Sequence, residues 1–506
     1  MSNLKLRAAR GSIYMTVVSF GLRPVSMALA IVLARLLAPA DFGLLALAMI
    51  VFNAANLVTD LGMRPTVVQS KHDINKVAHY AFVIVMASSM FFTMAAVFMA
   101  KPLANFLGGS AQLIPIIQWM AIYVTIDGLW VIPEALLRRE LRFKELALSQ
   151  IPGELASTII AIPLALMGYG VWSLVIGNCL GQLLRAALLW VYYRPWIWLR
   201  PQKWDKEIVR AMLNYGIPSL GSGLLRYVQS QLDTFIIGRR LGPTPVGLYN
   251  KAYTLTGRMA DMLTTSIFGN VLFPSYSRIQ DDKARVARAY LKSTKMVFLM
   301  IVPVSFGLAV VAPLLVPVLL GQQWVPMIVL WQIFSLYGLT RPISTNSAPI
   351  FQAMGQPQRN LTASFVLMGT MIVLLFLFIE PYGAVGAAMA VSLANVVVMF
   401  FNVWQVNQIL PGTATKTFTQ SLPFFIAGGL MTLAVIFSQG LLVQVAGGEN
   451  ILSLSLLVLV GAAVYIAVIL LLQRALILEL YELFVRAMGI DKRWPRLLPN
   501  QARVDK

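Results

Sequence analysis

A chain of 506 residues that is 58% hydrophobic and only 12% charged falls outside the make-up of an ordinary soluble domain. Its formal net charge of +20 would suit a nucleic-acid binder, but the basic residues are spread over short breaks between apolar runs, with no folded module to organise them. One cysteine excludes an internal disulfide, and with two histidines it leaves no ligand set for a built-in zinc or iron site.

The apolar runs are long enough to cross about 30 Å of hydrocarbon as helix. In chain order they predict spans at 12–34, 42–63, 79–99, 112–134, 147–167, 171–193, 209–238, 246–271, 293–320, 325–350, 360–379, 383–408, 417–438 and 451–473. The first run follows Lys5, Arg7 and Arg10, is too long for a signal-peptide core and contains Arg23, so it reads as a retained helix. Lys and Arg are divided unevenly between the two sets of breaks. The N-terminus, the even-to-odd loops and the C-terminal tail hold 28 of them, from Lys5 through Arg138, Arg142, Lys203, Arg285 and Lys416 to Lys506. The opposite loops hold four: Arg35, Lys101, Arg239 and Arg240. Basic residues stay on the cytoplasmic side, so both termini are expected there, against anionic lipid headgroups.

A weak internal repeat runs through the spans. "ARLLAPADFGL" (34–44) and "GRRLGPTPVGL" (238–248) match at Arg, Leu, Pro, Gly and Leu with an offset of 204. "GYGVWSL" (168–174) is echoed by "PYGAVGA" (381–387), and "PLANFLGGSAQLIP" (102–115) by "PLLVPVLLGQQWVP" (313–326), at offsets of 213 and 211. The expected architecture is therefore an all-α polytopic membrane protein of about 14 transmembrane helices. Two pseudo-symmetric six-helix halves (1–200 and 201–410) would surround a central cavity, with two additional helices (411–475) and a basic cytoplasmic tail (476–506).

Ionisable residues at membrane depth cost at least about 2.5–3.5 kcal/mol each and normally face a bundle interior or a wet cavity. In span 7, Pro218, Ser222, Arg226, Gln229 and Asp233 recur at helical spacing, and span 8 repeats the device with Lys251, Thr254, Arg258, Asp261 and Thr265. Thr16, Ser19, Arg23 and Ser26 line span 1, while Asn53, Asn56 and Asp60 line span 2. Four polar faces, two per half, are thus expected around one water-filled path. Buried Arg/Asp pairs that lock helices together are the plainer alternative. Arg23, Arg226, Lys251, Arg258 and Arg341 are the candidate sites for an anionic substrate, because guanidinium offers paired donors to phosphate oxygens. Asp60, Asp127, Asp233 and Asp261 are the candidate ion-coupling acids, with Asp233 favoured because it shares a helix face with Arg226. Counting Arg185 against Asp60, Asp127 and Glu154 leaves only a small excess of positive charge. The aromatic cluster Trp190, Tyr192, Tyr193, Trp196 and Trp198 reads as an interfacial belt, and the basic tail after Gln473 as an amphipathic surface helix.

"LARLLAPADFGLLALAMI", "DLGMRPTVVQ", "ALLRRELRFKELAL" and "GYGVWSLVIG" resemble recurring stretches of the Wzx-type polysaccharide transporters, within the multidrug/oligosaccharidyl-lipid/polysaccharide flippase superfamily. The resemblance covers nearly the whole chain and is most specific over residues 30–180. It implies a bacterial inner-membrane flippase that moves an undecaprenyl-pyrophosphate-linked oligosaccharide from the cytoplasmic to the periplasmic leaflet. The products would be exopolysaccharide, capsule or O-antigen. No cofactor is implied beyond coupling to H+ or Na+, and the expected partners are the lipid bilayer, a polysaccharide polymerase and export machinery. Two rivals stand beside it. An organic-cation antiporter of the same superfamily would have a cavity dominated by acids, and a membrane polymerase or glycosyltransferase would need larger outer loops or a carboxylate cluster.

Overall fold

The computed structural model describes residues 25–108, 110–193, 198–268 and 272–479, with only the backbone described for Ser222 and for residues 260–268. Over the described residues every predicted span coincides with helix; residues 12–24 of span 1 and 269–271 of span 8 lie outside them. Span 1 is seen as α1 (Val25–Leu36), and span 2 as α2 (Pro39–Asp60) continued by α3 (Met63–Gln69). The break between α2 and α3 falls at Leu61 and Gly62, both left-handed (φ 46° and 68°). Span 3 is α4 (Ile74–Phe98), extended by α5 (Ala100–Phe106), and spans 4, 5 and 6 are α6 (Leu113–Arg139), α7 (Phe143–Leu166) and α8 (Val171–Tyr192). Spans 7 and 8 are α9 (Lys206–Leu241) and α10 (Pro243–Phe268), and a short α11 (Leu272–Ser277) leads to span 9, α12 (Lys283–Leu319). Span 10 is α13 (Met327–Thr345) with α14 (Ala348–Ala353). Spans 11 and 12 form one continuous element, α15 (Gln358–Ile409), kinked at Gly383, and spans 13 and 14 are α16 (Thr413–Val445) and α17 (Ile451–Leu472).

Nine helices among the described residues are long and apolar enough to cross a membrane, with α15 counted as one. The polar stripes explain why α9 and α10 are not among them. Large apolar side chains lie bare, among them Phe437, Leu471 and Phe98 at 83%, 82% and 81% exposure. In water such a surface would aggregate; against lipid it costs nothing.

The chain divides into two compact units, Met1–Ala252 with Leu319–Met327 and Leu375–Ala387, and Tyr253–Val318 with Ile328–Leu374 and Ala388–Lys506. This partition by contact differs from the halves proposed from the repeat, because α9 packs along α2 and so groups with the first six spans. In the first unit α7 and α8 make the closest pairing. Gly153 and Gly181 meet backbone to backbone there, the use of small residues expected where no hydrophobic force draws helices together. Met63, Tyr80, Val131, Trp198 and Met212 form the core at one end of this unit. Trp190 and Trp198 both pack on Phe82, and Trp198 is 1% exposed, so this part of the predicted belt is interior packing; Trp196 lies outside the described residues. In the second unit Phe298, Phe424 and Tyr465 bind α16 and α17 to α12. The tail predicted as a surface helix is helical over 474–479 and otherwise lies outside the described residues.

Candidate functional site

The polar face of α9 does not behave as one stripe. Arg226 is exposed, whereas Asp233 is 4% exposed and accepts hydrogen bonds from the Thr234 N–H (2.7 Å) and the fully buried Tyr249 hydroxyl (2.6 Å). No ion pair joins Arg226 and Asp233 among the described residues. Two helical turns separate them, and Asp233 is turned toward α10 through Tyr249. Through this bond Asp233 ties α9 to α10.

Lys251 lies with its Nζ 4.4 Å from the Phe42 ring centroid and 5.6 Å from that of Trp324, an aromatic setting that holds a cation by its ring quadrupoles. In the second unit Arg258 is exposed on α10, and Arg341 donates to the Tyr337 hydroxyl, which in turn donates to that of Tyr253 (3.1 Å). Arg23 and the side chain of Asp261 lie outside the described residues.

The densest group of charges is inside the first unit, where Asp60 and Asp127 come together with residues that sequence reasoning did not single out. On α6, Asp127, Trp130, Glu134 and Arg138 follow at intervals of three, four and four, so they share a face. Glu134 is 1% exposed; one carboxylate oxygen accepts from Arg138 Nε (2.7 Å) and the other pairs with Arg185 of α8 (3.3 Å). The Arg185 guanidinium stacks 3.9 Å from the Trp130 ring centroid, and that of Arg64 lies 5.2 Å from the same ring. Arg64 opens α3 just past the left-handed break, and its N–H bonds Asp60 Oδ1 (3.2 Å). Asp127 feels the charges of both Arg64 and Arg185 but forms no ion pair within 4.0 Å among the described residues. Around it the Nε atoms of Arg64 and Arg185, Nε1 of Trp130 and Oε1 of Gln182 are buried without a hydrogen-bond partner.

Fully ionised, Asp60, Asp127 and Glu134 balance Arg64, Arg138 and Arg185. Arg138 is half exposed, so the interior itself holds these three acids against Arg64 and Arg185, and one added proton or cation would balance it where charge–charge energies are large. Asp127 can take it up at least cost in bonds. Sequence reasoning missed Arg64 because it was assigned to a loop, and Glu134 because it stood at the last position of a span; the i, i+4 spacings Asp60–Arg64 and Glu134–Arg138 are the signal that was available.

Over residues 32–329 the chain matches the family described as "Polysaccharide biosynthesis protein". It is 26% identical over 343 residues to the succinoglycan biosynthesis transport protein ExoT of Rhizobium meliloti (strain 1021), a match covering 67% of each chain. It is 24% identical over 446 residues to the lipopolysaccharide biosynthesis protein WzxC of Escherichia coli (strain K12), covering 87% of this chain and 88% of that one. Among solved structures it is similar to the lipid II flippase MurJ in an inward closed conformation, with a TM-score of 0.72, 15% identity, and coverage of 92% of this chain and 100% of that one. At that identity the likeness speaks for the fold.

Proposed function

Because the chain belongs to the polysaccharide biosynthesis protein family, we propose that it is a flippase for undecaprenyl-pyrophosphate-linked oligosaccharide repeat units. It carries them from the cytoplasmic to the periplasmic leaflet of a bacterial inner membrane, for exopolysaccharide, capsule or O-antigen assembly. The observation that carries this reading is extent: the likeness to WzxC spans 87% of the chain, and the fold likeness to a lipid II flippase spans 92%.

The exposed Arg226 and Arg258, together with Lys251, Arg341 and Arg23, are the proposed contacts for the pyrophosphate, since paired guanidinium donors suit its oxygens. Coupling to H+ or Na+ is proposed to run through Asp127, the acid of this network whose carboxylate forms neither an ion pair nor a hydrogen bond among the described residues, whereas Asp60 accepts from the Arg64 N–H and Glu134 is held by two arginines. The test is a deletion strain. Lipid-linked repeat units should accumulate in the cytoplasmic leaflet and polymer export should stop, with both restored by the gene in trans. Accumulation of flipped, unpolymerised units in the outer leaflet would instead assign the chain to polymerisation, and an unchanged lipid-linked pool would sink the reading.

A further inference from the structure

A carrier that opens alternately to two sides needs contacts that close tightly and part cheaply, and the two ends of α2 each hold one. A β-carbon on Gly43 would sit 1.8 Å from the carbonyl oxygen of Pro243, and one on Gly247 would sit 1.8 Å from that of Pro39. Gly247 is the repeat partner of Gly43, and Pro243 that of Pro39, both at the offset of 204, so the contact is reciprocal in the manner of an interface on a two-fold axis. Beside it, the repeat partners Arg35 and Arg239 each donate to the carbonyl at another helix's C-terminal end: Arg35 to Leu319 of α12 (2.8 Å), and Arg239 to Phe106 of α5 (3.1 Å). Gln323 and Trp324 add hydrogen bonds to the Ala34 carbonyl at 2.8 and 2.7 Å. At the other end of α2, a β-carbon on Gly216 of α9 would lie 2.3 Å from the Leu61 carbonyl oxygen, and one on Gly62 would lie 2.5 Å from that of Gly216.

Gly43, Gly216 and Gly247 lie within helices and have ordinary backbone angles, so nothing in their own conformation requires glycine. Each costs its helix about 1 kcal/mol relative to alanine. Only the close approach accounts for them. At the outer crossing two helices also meet by their N-terminal turns, where like ends of the macrodipoles repel mildly, and backbone-only contacts have few atoms to separate.

We propose that Gly43 with Gly247, and Gly62 with Gly216, are the outer and inner gates of the transport cycle, both closed in this structure and opened in alternation. The proposal rests on the flippase reading for its cargo and sidedness, but its test does not depend on the cargo. In a Cys179→Ala background, Leu47→Cys reports the outer crossing and Met63→Cys the inner one, since these side chains are 1% and 0% exposed and lie against Gly238 and Gly216. An impermeant thiol reagent is applied to spheroplasts and to inverted vesicles. Gly43→Ala and Gly247→Ala should each raise outer labelling of the Leu47→Cys reporter roughly tenfold by excluding the closed arrangement, while Gly216→Ala should raise only inner labelling of the Met63→Cys reporter. All three should lower polymer export at normal membrane abundance. Unchanged labelling from both sides would overturn the proposal. So would loss of abundance in all three, because a contact broken in every cycle cannot be what the fold depends on. A chain that gates as stated yet leaves lipid-linked repeat units unmoved would remove the flippase reading and keep the gates.

Discussion

Glu134 and Asp127 share a face of α6, yet Glu134 has both oxygens engaged by arginines while Asp127 forms no ion pair with the guanidiniums nearby. Their substitutions should therefore part company. Glu134→Ala leaves Arg185 in the interior without its partner, a change that costs about 3–5 kcal/mol when a buried pair is broken from one side. It should appear as a large fall in thermal midpoint of the purified protein. Asp127→Asn keeps the shape and breaks no ion pair, so the midpoint should move far less, while the dependence of transport on an ion gradient in vesicles is lost. Gradient-driven transport that survives in the asparagine variant would remove Asp127 from coupling. Asp233 offers an internal comparison: its carboxylate is occupied by Tyr249 and Thr234, so its loss should be felt in stability first.

Gly170, which precedes α8, and Gly383, at the kink of α15, stand 213 residues apart at the offset of the "GYGVWSL" and "PYGAVGA" echo, and they share one backbone conformation (φ 54°, ψ −131° and φ 56°, ψ −133°). That region is open essentially to glycine alone, and an L side chain there costs of order 1–3 kcal/mol. Gly170→Ala and Gly383→Ala should thus destabilise by similar amounts, measured as paired shifts in thermal midpoint, with Gly170→Ala somewhat worse because its β-carbon would also crowd Asp41. A neutral result at either would mean that the turn relaxes without the glycine. The same elements show what could be read in advance. Span number, type and order follow from apolar length, which registers directly in sequence. Which helices touch does not, because a lipid-facing side and a packed side are equally apolar, so the run of α9 along α2 carried no advance signal. The α6 network was half legible: Asp127 and Arg185 stand deep inside apolar runs, whereas Arg64 and Glu134 sit where span edges are least certain. Gly43 and Gly247 were visible as matched letters of a repeat, but their meeting was not.

The orientation proposed for the molecule, and with it the direction of transport and the naming of the gates, rests on the division of 28 against four basic residues between the two sets of breaks. Each Lys or Arg near an anionic leaflet is worth about 1 kcal/mol, and the same residues resist translocation during insertion, so the two effects favour the same topology. Glu449, between α16 and α17, and Lys283, at the start of α12, are both exposed and fall on opposite sides under this rule. In the Cys179→Ala background, a cysteine at position 449 should react with an impermeant thiol reagent added to intact spheroplasts, and one at position 283 only after the membrane is opened or inverted. The two positions control for each other, since a leaky preparation labels both and an unfolded chain does not distinguish them. Reversed labelling would turn the molecule over: the crossing at Gly43 and Gly247 would then face the cytoplasm, and a cargo assembled there would meet it first.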